Sequence, residues 1–301
     1  MRLKTCLIAA AALIAVATPG LAHRNWLLPS ATIFSSTPET VAVDAAESTD
    51  LFFPDHRALG VERIKVWAPD GSEGKIQNGS NGRVRSTFEV QLDKPGTWRI
   101  GMVQNGIGGT FKVDGVEWRL FSGRRPGGAG GPGAGAGRGP GAPGGPSGAG
   151  GEPPRFVSSI DEIPANATDI RITETSGSNN IYVTAGEPTD TVFTPTGKGL
   201  EMVPVTHLTE LVKGEPARLK FLVDGKPAAG LKVSVLPGGK RYRDSDGAIE
   251  IMTGADGVAT IDWPEAGMFW LNTSFADNKA TMPKATGRRM SYTATLEVMA
   301  P

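Results

Sequence analysis

Apolar residues recur at every second position along this chain, and Gly, Pro, Asp and Asn break the pattern at short intervals. "TVAVDA" (40–45), "RIKVWA" (63–68), "STFEVQL" (86–92) and "TWRIGMV" (97–103) all alternate in this way, as half-buried strands do. "FKVDGVEWRLF" (111–121) reads as a hairpin with Asp114-Gly115 at its turn. A second set follows. Residues 217–236 hold two strands around Asp224-Gly225. Residues 253–263 hold a turn at Asp256-Gly257 and then a strand, and "SYTATLEV" (291–298) ends the series. Helix signals are scarce. The predicted fold class is all-β: two immunoglobulin-like or prealbumin-like β-sandwich domains.

A short internal repeat fits two similar units. "LDKPGTWRI" (92–100) and "DWPEAGMFWL" (262–271) each leave a strand end, pass a Pro/Gly turn and enter an aromatic-rich strand. Between the two sets, residues 122–154 are nearly all Gly, Pro and Ala, with Arg124, Arg125 and Arg138 among them. Such a segment buries too little apolar surface to offset its ordering entropy, so it is expected to be a disordered, expanded loop. "ATDIRITET" (167–175) and "NNIYVTAGEP" (179–188) look like further strands completing the first sandwich around that loop. The expected domains are 23–195, containing the insert 122–154, and 196–301.

Residues 1–22 read as a secretory signal peptide. Arg2 and Lys4 precede the apolar run "CLIAAAALIAVA", Pro19-Gly20 breaks it, and Gly20-Leu21-Ala22 supplies small residues before a cleavage site. The run is too short for a comfortable membrane span. Cleavage after Ala22 would remove Cys6, the one cysteine, leaving a mature chain held by core burial without disulfides. It would also tip the balance of 31 basic and 31 acidic residues two charges negative. That charge argues against nucleic acid or an anionic membrane as partner. No later stretch is apolar enough to span a bilayer, and the expected location is the periplasm.

Three histidines remain, His23, His56 and His207, the chain's borderline metal ligands. Cleavage after Ala22 makes His23 the first residue. Its α-amine and imidazole Nδ1 could then chelate one ion, a pairing that suits copper, nickel or zinc rather than calcium or magnesium. Trp26-Leu27-Leu28 follows at once and gives the terminus an apolar anchor. His56 stands in "DLFFPDHRALG", with Asp55 or Asp50 as a carboxylate neighbour. His207 stands in "EMVPVTHLTEL", between an alternating strand and a polar turn. Each histidine taken alone suits a structural role. Three in so His-poor a chain raise a shared site, at a junction between domains. "DSDG" (244–247) opens like a calcium loop, but the later ligands do not follow. No G-x-S-x-G, H-E-x-x-H or phosphate loop is present.

"AHRNWLLPS", "DLFFPDHRAL", "GKGLEMVPVTHLTEL", "GEPARLKFLVDGKPAAGLKVSVLPGG", "RYRD" and "WPEAGMFWL" resemble the bacterial periplasmic proteins grouped as domain of unknown function 4198, once labelled a nickel-transport component. The resemblance spans nearly the whole chain after residue 22 except the Gly-rich insert. It implies an export signal, immunoglobulin-like β domains and a role in transition-metal uptake. The partners it implies are a TonB-dependent outer-membrane receptor or an inner-membrane transporter. His23, His56 and His207 stand in the matching motifs. "THLTEL" departs from the proline and asparagine that relatives carry after this histidine.

The expected function is a periplasmic metal-binding accessory protein, not an enzyme, with ligands His23, His56 and His207. Asp55 is a fourth or supporting candidate. Copper or nickel leads the candidate ions, followed by cobalt, zinc and iron. Binding should weaken below about pH 6 as protons compete for the imidazoles. Two other readings stand beside it: a β-sandwich interaction module for a receptor or envelope component, and a copper oxidase using an N-terminal histidine.

Overall fold

The computed structural model describes residues 23–121 and 155–301; the expected leader and the expected disordered insert lie outside the described residues. Nineteen strands and five short 3-10 helices make up the ordered elements, with no α-helix among the described residues. No helix of the described residues is long and apolar enough to cross a membrane.

The strands form three sheets of five, ten and four. In the first sheet, Glu39–Ser48 lies between Arg24–Pro29 and Ser86–Leu92, with Ile76–Asn81 outside the latter and Arg57–Ala58 also paired to Glu39–Ser48. The central ten-stranded sheet runs through Gly96–Val113, Thr168–Ala185, Gly287–Val298, Gly267–Asp277 and Lys232–Pro237. The third sheet centres on Pro216–Val223, flanked by Leu200–Pro204 and Val258–Asp262.

The alternation read from the sequence supplies the cores. Val41, Val43, Phe88 and Val90 of the first sheet meet Trp98, Ile100, Ile181 and Val183 of the central sheet. Leu219, Phe221 and Ile261 of the third sheet meet Val233, Phe269, Leu271 and Leu296. Fully burying such a side chain stabilises by about 1.5–3 kcal/mol. Ile181 and Val183 belong to the first core, while Tyr182 between them belongs to the second. One strand is therefore buried on both faces, and the two partner sheets cover opposite faces of the central one.

The all-β sandwich expectation holds, but the two units share a sheet. Thr168–Ala185 pairs in parallel with Gly287–Val298, from Thr173 opposite Gly287 to Ile181 opposite Thr295. Phe193, expected in the first domain, packs in the second core. The two segments 167–175 and 179–188 form one 18-residue strand, Thr168–Ala185, and "TWRIGMV" extends into a second, Gly96–Val113. Glycine explains why the latter stays continuous without good alternation. A Cβ on Gly101 would lie 2.6 Å from the Asn179 carbonyl oxygen, and one on Gly109 2.0 Å from that of Arg171. The two strands expected around Asp224-Gly225 form, as Pro216–Val223 and Lys232–Pro237, but they lie in different sheets. The turn forms, with both residues at positive φ, but only Lys226–Pro227 returns before the chain crosses to the central sheet at Lys232.

The internal repeat has a backbone counterpart. Gly96 and Gly267, its aligned glycines, adopt φ of 129° and 132°, a region that essentially only glycine enters. Each starts a long strand of the central sheet.

Candidate metal centre

Arg24–Pro29 brings the candidate site's first residue into place. Trp26 and Leu27 are both wholly buried, on opposite sides of the strand. Leu27 enters the first core, while Trp26 packs with Ala46, Leu51, Leu236 and Trp270 between the two sandwiches. The Trp26 indole N–H donates to Ser48 Oγ at 2.7 Å, and the Trp270 indole N–H donates to the Asn25 carbonyl at 3.0 Å. The apolar anchor expected from the sequence therefore pins the strand, and His23 precedes it directly.

Register then sets the neighbours. Asn25 pairs with Glu47, Leu27 with Ala45, and Arg57 with Glu47 from the other side. Residues two apart share a face, so Glu47 continues the row of Val41, Val43 and Ala45, and His23 continues that of Leu27 and Asn25. At the sheet's end this row emerges as His23 and Glu47. The His56 ring lies flat on that of His23, with centroids 3.6 Å apart and planes 9° from parallel. His23 Nδ1 lies 3.9 Å from Glu47 Oε1, and Arg57 Nε bonds Glu47 Oε2. Ligand atoms of His23, Glu47 and His56 all fall within 4.8 Å of one another, the one such group of three or more His, Asp or Glu among the described residues.

The loop carrying His56 is held from both directions. Asp55 accepts from the backbone N–H of Thr49 at 2.9 Å and of Asp50 at 3.2 Å. It thus closes the loop rather than joining the histidines. Phe52, at φ 61°, turns the chain and sets its ring edge-on to Trp26. The segment 240–246 of the second sandwich leans on the same loop. Lys240 lies 2.8 Å from Asp246 and 4.0 Å from Asp50, and Arg24 lies 3.2 Å from Asp246. The hydrogen bond from Lys240, with Arg24 adding to it, holds the Asp246 carboxyl below its usual range.

His207 stands apart from this group. It caps the 3-10 turn Leu208–Glu210, its Nδ1 accepting from the Thr209 N–H at 3.2 Å. In the neutral ring Nε2 then carries the hydrogen and donates to Thr97 Oγ1, 3.3 Å away. The ring meets Phe193 edge-on at 5.7 Å. The expected convergence of three histidines is thus a pair, His23 and His56, joined by a carboxylate the sequence did not suggest. Glu47 carried a legible signal all the same: a charged residue in the inward phase of an otherwise apolar alternation.

The donor set suits a borderline ion. Two imidazoles and a carboxylate are ligands for zinc, copper, nickel or cobalt rather than for calcium or magnesium. Bonds of about 2.1 Å place even opposed ligand atoms about 4.2 Å apart, so closure needs shifts of under about 1 Å, mostly in the exposed His23 and His56 side chains.

A family model described as "Domain of unknown function (DUF4198)" matches residues 21–277. The chain belongs to that family. Two solved structures are similar in part. Trypsin-activated alpha-2-macroglobulin from Escherichia coli is 12% identical at a TM-score of 0.21, covering 92% of this chain and 16% of its own. The D0-D1 domain of intimin is 9% identical at a TM-score of 0.20, covering 91% and 97%. This chain therefore spans less than a fifth of the macroglobulin's length. No curated protein matches the sequence.

Proposed function

We propose that this protein is a transition-metal-binding accessory protein of the periplasm, serving metal uptake or homeostasis. The observation that carries the reading is the clustering of His23, Glu47 and His56 within 4.8 Å at the end of a pinned strand. Removal of residues 1–22 would add the His23 α-amine and complete a set of three nitrogens and one carboxylate oxygen. That set favours copper or nickel, with cobalt, zinc and iron behind them. The ion would sit in a half-exposed rim with open positions, as suits a site that must load and release. A TonB-dependent receptor or an inner-membrane transporter is the corresponding partner.

The test compares protein starting at His23 with a form carrying one extra residue before it. Each is titrated calorimetrically with Cu(II), Ni(II), Co(II) and Zn(II). The first form should bind at least one ion with submicromolar affinity, and the extended form at least about tenfold more weakly. Equal affinities remove the amine from the ligand set. Failure of both forms to bind any ion better than micromolar ends the metal reading.

A further inference from the structure

The loop that abuts the histidine pair carries one cation without a counterion. Arg24 and Lys240 are matched by Asp246 and Asp50, Arg243 by Glu265, and Arg57 by Glu47. Arg241 has no carboxylate partner among the described residues. Its guanidinium carbon instead lies 4.1 Å over the Phe53 ring and 6.0 Å from that of Tyr242. Both rings face solvent, Phe53 at 39% and Tyr242 at 84% exposure. Stacking on a ring restrains a guanidinium while leaving its N–H edge open, an arrangement suited to a bidentate oxyanion.

Position ties this platform to the metal centre. Phe53 lies three positions before His56, at most about 11 Å of extended chain. The ion pair of Lys240 with Asp50 ties the 240–246 segment to the loop of Phe53 and His56, and that of Asp246 with Arg24 ties it to the strand after His23. A divalent ion held by His23, Glu47 and His56 would retain open coordination positions, and Glu47 is already offset by Arg57. The loaded rim is therefore positive, and Arg241 on the adjoining loop is an uncommitted donor.

We infer that Arg241, stacked on Phe53 and Tyr242, is an anchor for a carboxylate-bearing small ligand that accompanies the metal, so that the protein takes its ion as an organic-acid chelate. The inference rests on the metal reading above. A carboxylate of the chelator would fill an open position on the ion while a second meets the Arg241 fork. Phe53 and Tyr242 would shelter the chelator's carbon skeleton.

The probes are Ni(II) alone, citrate alone and preformed 1:1 Ni(II)–citrate, titrated into protein starting at His23 and into its Arg241→Ala and Arg241→Lys variants. Wild-type protein should retain citrate together with nickel, read by mass spectrometry of the native complex. Arg241→Ala should bind Ni(II) alone within about twofold of wild type but the chelate about tenfold more weakly. Arg241→Lys should fall between, since it keeps the charge and loses the fork. Equal chelate affinity in wild type and Arg241→Ala, or nickel captured with citrate left behind, overturns the inference and leaves the metal reading standing. Failure of the wild type to bind Ni(II) in any arm overturns the inference, and the metal reading falls with it only if Cu(II), Co(II) and Zn(II) also fail to bind.

Discussion

His56 and His207 are both loop histidines, each close to a junction between the sandwiches, yet the fold uses them differently. His207 has both ring nitrogens engaged, one by the Thr209 N–H and one by Thr97. Its ring is half buried beside Phe193. His56 is exposed and has no hydrogen-bond partner among the described residues. Its ring is set by stacking on His23. A nitrogen already bonded to the protein must lose that bond before it can take a metal, whereas a free one must lose only water. On the proposed reading, His23 and His56, whose rings carry no hydrogen bond among the described residues, are the pair available to an ion, and the well-bonded His207 caps its 3-10 turn.

Removing what positions the pair should have the largest effect. Trp26 is wholly buried and bonds Ser48 through its indole. Trp26→Ala should cost about 3–5 kcal/mol, measured by chemical denaturation, and should weaken metal binding in step because the strand before His23 loses its anchor. A loss under about 1 kcal/mol would mean that the strand is held by its backbone pairing to Glu39–Ser48 alone.

The comparison itself is tested by exchanging the roles of the two histidines. His56→Ala should lower affinity for Cu(II) or Ni(II) by at least about 100-fold, a loss of about 2.7 kcal/mol. Its stability should stay within about 0.5 kcal/mol, since the residue is exposed. His207→Ala should leave affinity within twofold and cost about 1–2 kcal/mol of stability through the lost cap. The opposite pattern in calorimetry and denaturation would move the ion to the 3-10 turn at Leu208.

Much of this was legible in the sequence wherever one side chain or one turn decided the outcome. Asp114-Gly115 and Asp224-Gly225 turn as expected, and the period-two runs supply the cores. The sharing of a sheet was not legible. Parallel pairing of Thr168–Ala185 with Gly287–Val298 joins residues more than 100 apart, and no local pattern encodes that choice of partner. The histidine pair shows both sides of the same limit. His23 was marked by its position behind an expected cleavage site and before an apolar anchor. Its meeting with Glu47 depends on the register of Arg24–Pro29 against Glu39–Ser48, and a one-residue slip would have turned Glu47 to the other face.

The smallest expected effect concerns the carboxylate between the histidines. Glu47 is mostly buried, with 14% of its side chain exposed, and Arg57, 64% exposed, holds one of its oxygens. An ion at this site would compete with Arg57 for the same carboxylate. Exposed ion pairs are worth about 0.2–1 kcal/mol, so Arg57→Ala should strengthen metal affinity by no more than about fivefold, and most at low salt. In wild-type protein, 0.5 M sodium chloride should recover part of that gain by screening the pair. Glu47→Gln should act in the opposite direction, lowering affinity about tenfold and abolishing the benefit of Arg57→Ala in the double variant. If Arg57→Ala instead weakens binding, Arg57 is holding the carboxylate in the ion's path rather than away from it. The His23–Glu47–His56 set would then be a site preformed by its own ion pair, unlike the committed donors of His207 and unlike a cluster that assembles only when metal arrives.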